Sequence, residues 1–176
     1  MKTVFKGKPF KNGTDTQEYN QDFATDHLVE SVESVDRNGI KGTVTNIQLH
    51  EVMLSMKEVS VEEAYEVEVK HDFSLIKMHF EIEGSNHYTP NPSTNGTSIS
   101  IPQGHYNFFY LPEVNGTLSF DTTKRKTLEI QFTDAYVKRV LGNNLKEASV
   151  KFFNALNSKR PFVMWEKGAP IPVELR

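Results

Sequence analysis

The 176-residue chain contains no cysteine, which excludes disulfides, thiolate metal sites and cysteine nucleophiles. No apolar run approaches the ~20 residues that a membrane helix needs. The opening segment Met1-Lys2-Thr3-Val4-Phe5-Lys6 carries charge with no apolar stretch behind it, so it is not a secretory signal, and a cytoplasmic location is expected. Neither sign of charge dominates: 20 basic against 23 acidic residues leave a net charge of −3 and a pI near 6.1. Such a domain binds nucleic acid poorly unless its charges are strongly segregated. Glycine-rich phosphate loops and Gly-x-Ser-x-Gly turns are missing too, which removes the usual signs of nucleotide chemistry and serine hydrolysis. There is no internal repeat and no low-complexity tract.

Leu, Ile, Val and Phe make up 47 of the 176 residues, above the ~20% level below which disorder sets in. The chain therefore has enough apolar side chains for one packed domain. Residues 1–38 are polar and read as an N-terminal arm, anchored by Phe5, Phe10 and Phe23. Within it Leu28, Val29, Val32 and Val35 fit a helix or a strand equally well.

From residue 39 to 132 the pattern is β. Tyr65, Val67 and Val69 alternate with charged residues, and so do Ile76, Met78, Phe80 and Ile82. Period-2 alternation marks strands with one buried face. Asn38-Gly39, Asn95-Gly96 and Asn115-Gly116 read as tight turns. The Asn-Gly-Thr triplets at 12, 95 and 115 also match a glycosylation acceptor, which is idle without a signal peptide. Seven or so short strands at regular spacing predict a sandwich or barrel.

Residues 133–176 form a helical C-terminal segment. Thr133 or Asp134 caps a short helix ending at Leu141 with Gly142 behind it. A second helix over 145–157 puts Leu145, Ala148, Phe152 and Leu156 on one face, with Phe153 at the edge of that stripe. This face is a candidate homodimer contact; the alternative is that it only caps the barrel. Pro170 and Pro172 then give an extended exit.

Candidate chemistry is sparse. His79 and Glu81 share a strand face, and His105 could join them from a neighbouring strand as a two-His, one-carboxylate metal set. Met78 and Phe80 form the apolar face of that strand, however, which sends His79, Glu81 and Lys77 to solvent, and a lysine on the same face disfavours a cation. Glu81/Glu83 and Glu62-Glu63 read as solvated carboxylates, and Lys124-Arg125-Lys126 as a hairpin tip. Pro102-Gln103-Gly104 forces a turn, because proline presets φ and glycine accepts positive φ. The strand behind it has two faces: His105, Asn107, Phe109 and Leu111 on one, Tyr106, Phe108 and Tyr110 on the other.

Strand, Pro-x-Gly, His, strand resembles the second conserved segment of cupin barrels. The order of parts over residues 40–157 resembles the N-terminal sensor domain of AraC-type transcription regulators. The strings HDFSLIKMHFEIEG (71–84), SISIPQGHYNFFYLPE (98–113) and KTLEIQFTDAYVKRVLG (126–142) are similar to the variant seen in Bacteroidetes-type regulators. The resemblance implies a cupin-like antiparallel β-barrel or jelly roll with two C-terminal helices. It also implies an effector-binding and dimerisation role, with an unidentified small molecule as effector and no cofactor. If the barrel holds a pocket, the candidate ligand-binding residues are Met78, Phe80, His105, Tyr106 and Phe109, although alternation forbids all five from facing one way.

The chain departs from the cupin metal pattern. His79, Glu81 and His87 have the wrong spacing for the first segment's His-x-His and glutamate, and His105 follows Gly104 directly, closer than the metal histidine usually stands. The resemblance therefore points to the ligand-sensing, non-enzymatic branch. A stand-alone cupin enzyme and a carbohydrate-binding jelly roll are the alternatives. Beyond Asn157 only 19 residues remain, three of them proline, too few for helix-turn-helix modules. DNA contact is thus expected only through a downstream domain absent from this chain.

Overall fold

The computed structural model describes residues 2–7, 13–18, 25–37, 40–120, 122–142 and 146–175. Phe10, Phe23, Asn38-Gly39 and Leu145 lie outside the described residues. The first four strands are β1 (Lys2–Lys6), β2 (Thr14–Glu18), β3 (Val29–Arg37) and β4 (Ile40–Leu49). The run from Leu28 to Val35 is thus mainly strand. Eight more follow: β5 (Val52–Val61), β6 (Tyr65–His71), β7 (Leu75–Glu83), β8 (Asn86–Pro90), β9 (Ile99–Ile101), β10 (His105–Leu111), β11 (Asn115–Phe120) and β12 (Lys124–Phe132).

These eight pair in nested fashion, all antiparallel: β5 with β12, β6 with β11, β7 with β10 and β8 with β9. Successive strands alternate between two sheets, except that β8 and β9 share one; the orders are β6-β11-β8-β9 and β10-β7-β12-β5. A long antiparallel hairpin rolled up in this way is a jelly roll, the architecture that cupins share. β2 and β1 extend the first sheet beside β6, and β4 and β3 extend the second beside β5.

Local chemistry agrees with the strand boundaries. Gly104 sits at φ +72°, and the His105 N–H donates to the Pro102 carbonyl at 3.1 Å, closing the Pro-x-Gly turn. Asn95-Gly96 lies in the β8–β9 loop. Asn115-Gly116 does not turn: it opens β11, and a Cβ on Gly116 would stand 2.3 Å from the Thr89 carbonyl oxygen. Glycine is there for the close approach of β8, not for turn geometry.

Two helices follow, α1 (Asp134–Leu141) and α2 (Glu147–Ser158). The Thr133 hydroxyl accepts the Tyr136 N–H at 3.1 Å, so α1 is capped as its sequence predicts. Both helices cover the outer face of the second sheet. Phe108 and Tyr110 of β10 and Ile76 of β7 pack there against Val137, Phe152 and Leu156. Phe152 touches the rings of Phe108, Phe153 and Phe162 with centroids 5.3–5.6 Å apart. Of the expected apolar stripe, Phe152 and Leu156 therefore lie against the chain's own sheet, while Ala148 is exposed. The proline-containing tail is no extended exit: β13 (Phe162–Val163) and β14 (Ala169–Pro170) both pair with β10 and cover that edge.

Phe152 is almost fully buried at the centre of this layer. Phe152→Ala is expected to lower unfolding stability in urea by about 3–5 kcal/mol, whereas Val150→Ala, at an exposed position of the same helix, should stay within about 0.5 kcal/mol. Equal effects of the two would contradict the packing described.

A candidate ligand cavity inside the sandwich

The helices on the outer face decide what the inner face is. In β7, Ile76, Met78 and Phe80 point outward, so Lys77, His79 and Glu81 point between the sheets. In β12, Leu128, Ile130 and Phe132 point outward, so Arg125, Thr127, Glu129 and Gln131 point inward. Register brings the inward residues together: His79 lies opposite Glu129, and Thr127 opposite both Glu81 and, across the other edge, Lys57 of β5. The expectation that Lys77, His79 and Glu81 face solvent is thereby corrected, since Glu81 has no exposed surface and His79 almost none. Arg125 is likewise buried in β12 instead of standing at a hairpin tip.

These side chains form a continuous polar chain. Glu129 receives Lys77 Nζ on Oε2 at 2.7 Å and Lys57 Nζ on Oε1 at 3.1 Å. His79 Nδ1 lies 3.5 Å from the same Oε1. On its other side His79 Nε2 meets Glu81 Oε1 at 3.0 Å, and Arg125 Nη2 meets that oxygen at 2.5 Å. The Arg125 guanidinium also stacks 4.1 Å from the centroid of Phe120. Burial pushes the Glu129 carboxyl up, but the charges of Lys57, Lys77 and His79 and the Lys77 hydrogen bond outweigh it and hold the group well below the usual range. Burial pulls Lys77 down, with Glu129 opposing.

A cavity of about 140 Å³ opens beside this chain. Its polar lining includes Lys57, Lys77, His79, Arg125, Glu129 and Gln131, from β5, β7 and β12. Its apolar lining includes Val69, Ile99, Phe109, Leu111 and Val114, with Phe109 opposite Lys77 in register. Thr3 and Phe5 of β1 complete the wall. Several buried polar atoms around it have no hydrogen-bond partner in the protein: Thr3 Oγ1, His71 Nδ1, Glu81 Oε2, Arg125 Nε, Thr127 Oγ1 and Gln131 Oε1. Buried polar atoms are normally satisfied, so such a concentration marks a place built for a polar guest or water.

The pocket residues expected from the sequence separate by face. Phe109 lines the cavity. Met78, Phe80 and Tyr106 lie on the opposite face of the sheet, where Tyr106 stacks on Phe80 at 5.0 Å and meets Trp165 edge-on at 5.1 Å. His105 stands at the sheet end, its Nδ1 within 2.9 Å of the Gln103 carbonyl, and is not among the lining residues. It does not join His79 and Glu81. Among the described residues no group of three or more His, Asp or Glu is placed to hold a metal ion. The charges of Lys57, Lys77 and Arg125 already answer the two carboxylates.

No family model matches the chain, and no curated protein matches it. Solved structures do. The AraC-like transcriptional activator CuxR is similar at 11% identity and a TM-score of 0.41, over 73% of this chain and 51% of that one. A mutant of oxalate decarboxylase from Bacillus subtilis is similar at 13% identity and a TM-score of 0.40, over 84% of this chain and 43% of that one. Vicilin from hazelnut, Corylus avellana, follows at 11% identity and 0.37, over 83% and 48%. This chain thus spans about half the length of each. Structures of a regulator and of a cupin enzyme are both represented, and such likeness does not decide between their functions. The expectation that the chain is not an enzyme is corrected on this point: oxalate decarboxylases stand among the similar structures, and a fold shared with enzymes gives no ground for excluding catalysis. The inward ionisable cluster also removes the premise that these groups are solvated. No helix among the described residues is long and apolar enough to cross a membrane.

His71, in the cavity wall, gives the interior a pH signature. Burial and then the Lys77 charge push its imidazole down to about 3, against the pull of Glu129 and Asp72. The unfolded chain, with histidine near ~6.5, takes up a proton that the folded chain refuses as pH falls from about 6.5 towards 3, so stability drops through that window. The melting temperature is expected to fall between pH 7 and pH 5, and His71→Asn should flatten the decline. An unchanged profile in the variant would contradict the burial of His71.

Proposed function

We propose that this chain is the effector-binding domain of an AraC-type transcription regulator, acting in the cytoplasm on a small molecule held between the sheets. The observation that carries the proposal is the cavity wall itself. β1, from the N-terminal arm, contributes Thr3 and Phe5 to it, while α2 rests on the reverse side of β10. A ligand touching Thr3 and Phe109 therefore contacts the arm directly and lies one sheet thickness from the helix layer. If it binds one arrangement of arm and helices better than another, it shifts their populations by its difference in affinity. In the whole regulator that shift would reach DNA through a downstream domain and, in a homodimer, through the pairing of two such domains.

A small-molecule enzyme of the same fold is the second candidate. The buried His79–Glu81–Arg125 and Glu129–Lys77 contacts beside a cavity favour it, because charged groups in such settings are frequent in active sites. Reading the gene past the codon for Arg176 separates the two. A further ~100 residues with two helix-turn-helix patterns are expected; a stop codon directly after Arg176 would overturn the regulator and leave the enzyme.

A further inference from the structure

The cavity lining combines charged and apolar side chains in a way that selects a ligand class. Among the charged groups three cations, Lys57, Lys77 and Arg125, are paired with two carboxylates, Glu129 in the lining and Glu81 behind it, so the formal excess is one positive charge. Both lysines share the single carboxylate of Glu129, and each is seen to use one of its three ammonium donors there. The Arg125 Nε–H has no acceptor. Lys57 is the most accessible of the three, with a third of its side chain exposed, so it can turn to a guest while Lys77 keeps Glu129 neutralised. Beside them Val69, Ile99, Leu111 and Val114 line the cavity with hydrocarbon only.

Resting on the effector-binding proposal for the same cavity, we infer that its ligand is a small monocarboxylate with a compact apolar body, the carboxylate toward Lys57, Lys77 and Arg125 and the body among Ile99, Phe109 and Leu111. The volume limits its size. A cavity of about 140 Å³ is close to the ~150 Å³ of an engineered apolar cavity that holds benzene, so the whole ligand, carboxylate included, is little larger than one six-membered ring. The charge limits its ionisation: a phosphate monoester, at about −1.5 to −2, overshoots an excess of one, and its body would still have to be apolar. A neutral sugar would leave the excess charge unanswered and bury hydroxyls against hydrocarbon.

The test uses the whole chain at pH 7.5, titrated with benzoate and hexanoate, with benzamide and hexanamide as uncharged counterparts, and with glucose and arabinose. A carboxylate is expected to raise the melting temperature and to bind at least tenfold tighter than its amide. Lys57→Met, which leaves the Lys77–Glu129 pair in place, should cost about tenfold in affinity while the ligand-free protein stays folded. Transferred magnetisation from the bound body to the Ile99 and Leu111 methyls reports the location independently of any variant. Amides binding as well as acids, no loss in Lys57→Met, or contacts to other methyls would each overturn the inference. A sugar that binds in the cavity where no carboxylate does would overturn it and leave the effector proposal standing. No binding by any member of the panel would overturn it too, and the gene beyond Arg176 would then judge the effector proposal separately.

Discussion

Glu129 is the group on which the interior depends. Its carboxylate sits between the two sheets and receives Lys57, Lys77 and the His79 ring from two neighbouring strands. A lone charge in that position would cost several kcal/mol, so β5, β7 and β12 must keep the register that brings the cations to it. Glu81 and Arg125 repeat the arrangement one step along the barrel. A well-packed apolar interior would serve stability at least as well as such buried pairs. Their retention beside a cavity, with polar atoms left over, fits a site for a guest better than a device for holding the sheets together.

This placement is possible because β7, β10 and β12 of the second sheet are covered on both sides. Met78, Phe108, Phe132 and their neighbours find their apolar partners outside the sandwich, under α1, α2 and the returning tail. The inner face is then free to carry charged side chains beside hydrocarbon. The same arrangement ties the cavity to the rest of the chain. β7, β10 and β12 present the cavity on one side and the helix layer on the other, and β1 closes the wall from the arm. A change at either end of the chain thus alters the same small volume.

Much of the architecture was legible. Alternation marked the strands, Pro102-Gln103-Gly104 marked the turn before β10, and Thr133 with Gly142 bracketed α1 where the structure has it. The faces of β10 were also legible, because His105, Asn107, Phe109 and Leu111 alternate with Tyr106, Phe108 and Tyr110. The candidate site was not. Alternation gives the two faces of a strand but not which one meets water, and the rule that apolar residues point inward assigns β7 wrongly when a helix layer covers the outside. The signal was present in β10, whose aromatic residues fall on both faces: a strand apolar on both sides belongs to a sheet covered on both sides. Applied to its neighbour, that would have sent Lys77, His79 and Glu81 into the sandwich. Arg125, Glu129 and Gln131 follow only from the register of β12 against β7, which no local pattern carries. Gly116 was misplaced for a related reason, since its need for glycine comes from a strand distant in sequence.

The charged residues of β7 and β12 face inward and compensate one another around Glu129. The most direct measurement is a carbon-detected NMR titration of the Glu129 carboxyl carbon from neutral to acid pH. Glu129 should stay ionised well below the ~4.3 of an ordinary glutamate, because the charges of Lys57 and Lys77 outweigh its burial. Titration at or above that ordinary value would contradict this, since the carboxylate would then be either in solvent or buried without its cations.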